Sequence, residues 1–97
     1  MTTTLYTINR REPRELGLCR ALIREGDALL FVEDAVYALT VAFERELVQS
    51  LDKYRCFALR DDLVARGISD KIPPTVTQIG YPEFVALSLH YGRVVSW

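Results

Sequence analysis

Residues 26–39 read GDALLFVEDAVYAL, and this stretch decides the predicted fold. Five apolar residues in succession, 28–32, follow a Gly-Asp turn pair. An amphipathic strand with one wet face would alternate apolar and polar residues, so the run is typical of a central strand covered on both faces. Glu33 and Asp34 come next, followed by helical spacing, which predicts half of a parallel β-α-β unit. Ligand and partner sites in such sheets lie beyond the carboxyl ends of the strands, where these two acids are expected.

Four further strands and four helices complete the predicted alternation. The other strands are expected at residues 4–8, 55–59, 76–79 and 94–97. The helices are expected at residues 13–25, 35–51, 63–66 and 82–91. Strand-helix alternation at this spacing predicts a mostly parallel five-stranded sheet with helices on both faces and right-handed crossovers. The expected fold class is therefore α/β, as a small three-layer flavodoxin-like domain.

Glycine and acidic residues mark the expected helix ends. Gly67 suits the left-handed conformation that follows many helices, and Ile68 supplies the hydrophobic contact that often accompanies it. Asp34 is expected to cap the helix after the second strand. Asp61 or Asp62 is expected to cap the helix after the third strand in the same way.

The whole-chain composition limits the classes of function. The 97 residues suffice for one domain, residues 1–97. A net charge of -1 argues against direct nucleic-acid binding, because no basic excess neutralises phosphates. The longest apolar runs fall short of the roughly 20 residues of a membrane span, and the N-terminus lacks the features of a signal peptide. Two cysteines do not make a disulfide framework, so we expect a cytoplasmic protein with reduced thiols.

The helix predicted at residues 35–51 carries more apolar surface than the surface helix of a monomer needs. One stripe comprises Val36, Leu39, Phe43, Leu47 and Leu51. A second stripe on another side comprises Tyr37, Val41 and Val48. A helix packed on a monomer requires one such stripe, so either the rest of this chain or another subunit covers the second. We predict that another subunit covers it.

Among the candidate functional residues, Cys19 has the side chain that could be the most reactive, a thiol. The apolar stripe of the first predicted helix comprises Leu16, Cys19, Leu22 and Ile23, and Cys19 lies at the middle of it. Many unpaired cysteines act as small buried hydrophobes, whereas an accessible thiolate can carry sulfur as a persulfide. Cys19 lies well past the first turn, so the helix dipole gives its thiolate little stabilisation. Cys56, inside an apolar strand, is expected to be part of the core.

The sequence gives little support for a metal site, a nucleotide site or a catalytic acid pair. His90 is the single histidine, and no cysteine stands at ligand spacing from it, so a metal site is not expected. No glycine-rich loop follows a predicted strand, which argues against a nucleotide phosphate site. Glu33 and Asp34 are a possible acid pair, but neighbours on a strand point to opposite faces, so we do not expect them to share a proton. No cofactor is indicated.

Four segments, in order and at matching spacing, resemble the DsrH/TusB family of sulfur-relay subunits. They are residues 5–10 (LYTINR), 26–38, 57–68 (FALRDDLVARGI) and 81–97, which would hold the closing helix and terminal tryptophan. The resemblance covers nearly the whole chain, although no single motif in it is diagnostic of catalysis. It implies the DsrE/DsrH-like form of the flavodoxin-like fold.

The resemblance implies a subunit of a cytoplasmic heterohexamer built from two copies each of three homologous chains. The partners implied are DsrE/TusD-like and DsrF/TusC-like subunits, the former holding the principal persulfide cysteine, and a DsrC/TusE-like carrier that receives the sulfur. The family uses this sulfur for tRNA wobble-uridine 2-thiolation or for sulfur oxidation. In the DsrH branch a cysteine on the first helix matches Cys19, which becomes the candidate catalytic sulfur carrier. The candidate interface comprises Tyr37, Val41, Val48, Glu33 and Asp34.

Two alternatives stay open at the level of sequence. The chain is a non-catalytic structural subunit if both of its cysteines are inert. It is an unrelated small α/β binding domain if Glu33 and Asp34 bind a small cationic ligand. Whether the isolated chain self-associates in the absence of partner chains is also open.

Overall fold

The computed structural model describes residues 3–9, 21–40 and 55–96. Within these ranges the five strands are β1 (Thr4–Ile8), β2 (Ala28–Phe31), β3 (Arg55–Leu59), β4 (Thr77–Ile79) and β5 (Arg93–Ser96). A 3₁₀ helix spans Glu33–Leu39, and two α-helices, α1 and α2, span Arg60–Ala65 and Tyr81–His90. The sheet order is β4-β3-β2-β1-β5, and every neighbouring pair of strands is parallel. The predicted α/β class with a parallel five-stranded sheet is confirmed.

β2 lies at the centre of the sheet and is covered on both faces, as its unbroken apolar run predicts. All four of its residues are fully buried. Leu29 and Phe31 join a hydrophobic cluster with the 3₁₀ helix and α1, whereas Ala28 and Leu30 join a second cluster with α2. Successive side chains of a strand point to opposite faces, so a strand with helices on both sides has to be apolar throughout.

The described helices are divided between the two faces of the sheet. The first cluster includes Val36 of the 3₁₀ helix and Leu63 of α1, and the second includes Leu87 of α2. None of the α2 residues is fully buried, and Leu89 on its outer side is exposed. The three-layer arrangement predicted from the sequence therefore holds, and α2 covers its face of the sheet loosely.

The segment after β2 is a 3₁₀ helix, not the α-helix that the spacing predicted. It spans residues 33–39, and the part predicted beyond residue 40 lies outside the described residues. With three residues per turn, Val36 and Leu39 fall on one side, and both are fully buried. Tyr37 falls on another side and is half-buried. Tyr37 therefore lies on a different side of the helix from the two buried residues, and Val41 and Val48 of the predicted second stripe lie outside the described residues.

Gly67 ends α1 in the conformation that the sequence predicts. Its φ is 67°. Its N–H donates to the carbonyl of Val64 at 3.0 Å, and the N–H of Ile68 donates to the carbonyl of Leu63 at 3.0 Å. These are the two hydrogen bonds of a Schellman motif. Ile68 is buried in the same cluster as Leu63, which is the hydrophobic contact expected to accompany the motif.

Asp27 ties the start of β1 to the turn before β2. Its Oδ1 accepts a hydrogen bond from the backbone N–H of Thr4 at 2.8 Å, and its Oδ2 accepts one from the N–H of Arg24 at 2.9 Å. Gly26, with a φ of 92°, makes the turn that places Asp27 here. Asp27 is only 5% exposed, and hydrogen bonds to an ionised acceptor are stronger than neutral ones. This carboxylate therefore fixes one corner of the sheet.

The predicted helix caps are wrong. The N-cap positions are Val32 for the 3₁₀ helix and Leu59 for α1, and neither makes a side-chain cap hydrogen bond. Asp34, Asp61 and Asp62 all lie inside the first turns of these helices. For Asp34 and Asp62 the physical reason is that their carboxylates bond to groups on other elements, described below.

Most of the first predicted helix, including Cys19, lies outside the described residues. Residues 21 and 22 are helical. Leu22 is 53% exposed whereas Ile23 is buried, so the prediction that both share one buried stripe is wrong. Trp97, predicted to end the last strand, also lies outside the described residues. None of the helices in the described ranges is long and apolar enough to cross a membrane.

Candidate functional site

The carboxyl ends of the strands surround a cleft of about 250 Å³, called here the carboxyl-edge cleft. All five strands contribute to it, either directly or through the residues that follow them. The lining residues are Thr7, Asn9, Val32, Glu33, Leu59, Asp62, Tyr81, Phe84 and Ser96. Parallel α/β sheets bind their ligands at this edge. Glu33 lines the cleft, at the edge where the sequence places it.

Glu33 has an unusual backbone conformation. Its φ is 51°, in the left-handed region, and it is the one non-glycine residue in the described ranges with a positive φ. Such a conformation costs an L-residue about 1–2 kcal/mol and persists where neighbouring contacts hold it. The contact here is with Asp62, whose Oδ2 accepts a hydrogen bond from the N–H of Glu33 at 2.7 Å. Asp62 thus satisfies an exposed donor at the start of the 3₁₀ helix from a different helix.

Arg66 joins the 3₁₀ helix to α1 through a set of contacts called here the Arg66 cluster, formed with Asp34, Tyr37 and Asp62. Its Nε and Nη2 donate to Oδ1 of Asp34 at 3.1 and 2.9 Å. Its Nη1 donates to the backbone carbonyl of Asp62 at 3.2 Å and lies 3.7 Å from Oδ1 of the same residue. Its guanidinium carbon lies 5.9 Å from the centre of the Tyr37 ring, within cation–π range.

The Arg66 cluster positions side chains more than it stabilises the fold. The hydrogen bond to Asp34 raises the pKa of Arg66 above its ordinary value, and an arginine guanidinium is in any case charged at every working pH. The Asp34 side chain is 71% exposed, and ion pairs of that kind contribute little net free energy because water screens them. Through Asp62, however, the cluster reaches Glu33 and the cleft. The two adjacent acids therefore have different surroundings, with Asp34 bonded to Arg66 and Glu33 lining the cleft.

Asn9 contributes a buried acceptor that sequence reasoning missed. Its Oδ1 is buried and has no hydrogen-bond partner among the residues that the structure describes. Leaving such a group unpaired costs about 1–3 kcal/mol, so buried polar atoms without partners are rare and call for an explanation. In the sequence Asn9 is one residue of a polar loop. Its position directly after β1, at the same edge of the sheet as Glu33, is the sequence feature that could have identified it.

Cys56 is not part of the carboxyl-edge cleft. Cys56 lies near the amino end of β3, at the opposite edge of the sheet. It is 6% exposed and packs in the first hydrophobic cluster, as the core prediction requires. Cys19, Val41 and Val48 lie outside the described residues. Tyr37 is thus the described member of the predicted apolar interface stripe.

The sheet order, the helices on both faces and the carboxyl-edge cleft define a small flavodoxin-like α/β protein. The YchN protein from E. coli has a similar fold: its crystal structure aligns with this chain at a TM-score of 0.72, covering 100% of both chains. The two sequences are 15% identical. At this level of identity the likeness shows the fold alone.

Sequence comparison narrows this class to one family. The model of the family described as DsrH like protein matches residues 11–94. TusB proteins from Salmonella arizonae and Salmonella paratyphi B are each 38% identical to this chain over 79 residues, covering 78% of it and 80% of their own length. The chain belongs to the DsrH family, as the DsrH/TusB resemblance predicted. Membership of this family points to a subunit of a sulfur-relay complex that contains other subunits.

Proposed function

We propose that this chain is a cytoplasmic subunit of a sulfur-relay heterohexamer. The observation that carries the proposal is the 38% identity to TusB proteins over 79 residues. In this role the chain assembles with DsrE/TusD-like and DsrF/TusC-like subunits. The complex passes persulfide sulfur to a DsrC/TusE-like carrier. The TusB relatives favour tRNA wobble-uridine 2-thiolation over sulfur oxidation as the use of that sulfur.

Cys19 is the sulfur-accepting residue in this proposal. Its thiolate attacks the outer sulfur of a donor persulfide, the S–S bond of the donor breaks, and the donor cysteine leaves as a thiolate. The step needs no oxidant or reductant, because one persulfide replaces another. Cys56 is buried in the core and serves packing.

Sulfur loading of the complex tests this role. The chain is co-expressed with its partner subunits, the complex is incubated with a sulfur donor, and the mass of each subunit is measured after gentle dissociation. We expect one added sulfur on this chain, lost in Cys19→Ser because the accepting thiolate is gone, and kept in the matched variant Cys56→Ser. A wild-type chain that never gains sulfur, or a Cys19→Ser chain that still does, contradicts the carrier role and favours the inert structural subunit.

The proposed interface lies on the side of the 3₁₀ helix that carries Tyr37. This side chain is half-buried, packs against the first hydrophobic cluster and has Arg66 beside its ring. Tyrosine and arginine are enriched among the residues that dominate binding at protein interfaces. The exposed Asp34 carboxylate lies next to them. The proposed contact with a partner chain comprises Tyr37, Val41, Val48, Glu33 and Asp34.

The double variant Tyr37→Asp with Val41→Asp is expected to release this chain from the complex. Two carboxylates placed against an apolar partner surface would lose their hydration and the apolar contacts of the tyrosine and valine, which costs several kcal/mol in all. The readout is the mass of the co-purified complex by light scattering. Lys71→Asp with Thr75→Asp is the matched control, because both side chains are exposed in the loop before β4 and neither belongs to the proposed interface, so this variant should assemble normally. Circular dichroism checks that both variants fold, and an unchanged mass for the first variant refutes this interface.

A further inference from the structure

We infer that the carboxyl-edge cleft receives the guanidinium group of an arginine side chain that a partner subunit presents. The assignment of the occupant to a partner rests on the proposed function, whereas the cation-binding chemistry rests on the cleft itself. Four observations support it: the hydrogen-bonding character of the lining, its charge, its aromatic residues and its size.

The lining of the cleft is rich in acceptors. Asn9 is one of the lining residues, and its buried Oδ1 has no partner among the described residues, so an N–H donor that enters the cleft and reaches this oxygen would satisfy it. Glu33 supplies a carboxylate, and the hydroxyl groups of Thr7 and Ser96 can also accept. A guanidinium carries five N–H donors in a planar fork and no acceptor, which matches this set of groups.

The charge of the cleft selects a cation. Glu33 and Asp62 are both lining residues, and no lysine, arginine or histidine is among the lining residues in the described ranges. Asp62 already accepts the N–H of Glu33 and lies near Arg66, so Glu33 carries the less compensated charge. An anion here would meet like charges, whereas a cation finds charge-assisted hydrogen bonds.

The aromatic residues and the size of the cleft favour an arginine side chain over a free metabolite. Tyr81 and Phe84 contribute to the lining, and guanidinium planes stack on aromatic faces more readily than ammonium groups do. The cleft measures about 250 Å³, below the range of about 300–1,000 Å³ typical of small-molecule pockets. Asp62 belongs to both the cleft and the Arg66 cluster, so the cleft is continuous with the interface proposed around Tyr37. A side chain from the partner that covers Tyr37 can therefore reach it.

The cation-binding chemistry is tested on the isolated full-length chain. N-acetyl-arginine amide is titrated while amide resonances are followed by NMR, and N-acetyl-citrulline amide serves as the uncharged probe of the same shape. We expect the arginine probe to shift resonances of Asn9 and Glu33, and the citrulline probe to bind at least about tenfold more weakly. Glu33→Gln should weaken arginine binding by about the same factor, and Asn9→Leu should weaken it as well. Glu25→Gln, an equal charge change at an exposed turn on the opposite edge of the sheet, should have no effect.

The assembled complex tests the source of the arginine. Glu33→Gln should raise the dissociation constant of the complex, and the arginine probe should compete with assembly. Equal binding of both probes, or binding that Glu33→Gln leaves unchanged, overturns the cation site. Normal assembly of Glu33→Gln in the presence of clear probe binding overturns the partner assignment and makes the ligand a free cation. Failure of the wild-type chain to assemble at all overturns the proposed function but leaves the probe result standing.

Discussion

Phe31→Ala is expected to lower the free energy of unfolding of the isolated chain by about 3–5 kcal/mol, the cost of emptying a well-packed aromatic site. Phe31 is the largest fully buried side chain among the described residues. It lies on the central strand β2 and packs in the first hydrophobic cluster. A domain of 97 residues has a total stability of only about 5–15 kcal/mol. At the lower end of this range the variant would be partly unfolded without denaturant.

Urea unfolding followed by circular dichroism measures this loss. With a slope of about 1–3 kcal/mol per molar urea, the midpoint should fall by more than 1 M, or the folded baseline should disappear. Leu89→Ala is the matched control, because Leu89 is 82% exposed and alanine is a good helix former, so its midpoint should stay near that of the wild type. A Phe31→Ala loss below 1 kcal/mol would mean that the two faces of the sheet are not packed as described.

Asp27→Ala is the second large expected effect, a loss of about 2–4 kcal/mol. The substitution removes two charge-assisted hydrogen bonds, one from the N–H of Thr4 and one from the N–H of Arg24. The N–H of Thr4 is buried and is left without an acceptor. Each lost hydrogen bond is worth about 1–3 kcal/mol. The damage should be local to the corner where β1 begins and the turn before β2 ends. Amide hydrogen exchange should therefore accelerate first at Thr4 and Arg24.

Two companion variants separate the hydrogen bonds from the charge. Asp27→Asn keeps one acceptor oxygen and places an amide donor where the second stood, so its loss in urea unfolding should be intermediate. Asp70→Ala removes an acid from an exposed position and should change the stability by less than about 0.5 kcal/mol. Equal stability of Asp27→Ala and the wild type would contradict the two hydrogen bonds.

The sheet could be predicted because its signals are local. β1 and β3 have the predicted bounds, and β2 ends one residue before the predicted end. The run at residues 28–32 is apolar throughout because helices lie on both faces of β2, a condition visible in the sequence itself. The end of α1 could be predicted from Gly67 and Ile68 in the same way, because the Schellman motif involves residues close together in the chain.

The caps and the cleft could not be predicted because their partners are distant in the chain. Asp62 satisfies an N–H at the start of a helix, which is the chemistry expected of it, but the helix is the one that begins at Glu33. Asp34 bonds to Arg66, which lies on the far side of β3 in the sequence. Asn9, whose Oδ1 is buried, lines the same cleft as residues that follow the other strands. Spacing rules within one segment contain no information about such contacts.

The position of β1 between β2 and β5 has a consequence for synthesis of the protein. Thr4 pairs with Arg93, so one whole side of the first strand stays open while nearly all the rest of the chain is being translated. Contacts between residues so far apart in sequence form slowly. The sheet can therefore be completed only after the last strand has been synthesised. A purification tag fused directly after residue 97 would lie next to the last strand to dock, so an N-terminal tag with a flexible spacer is the better choice.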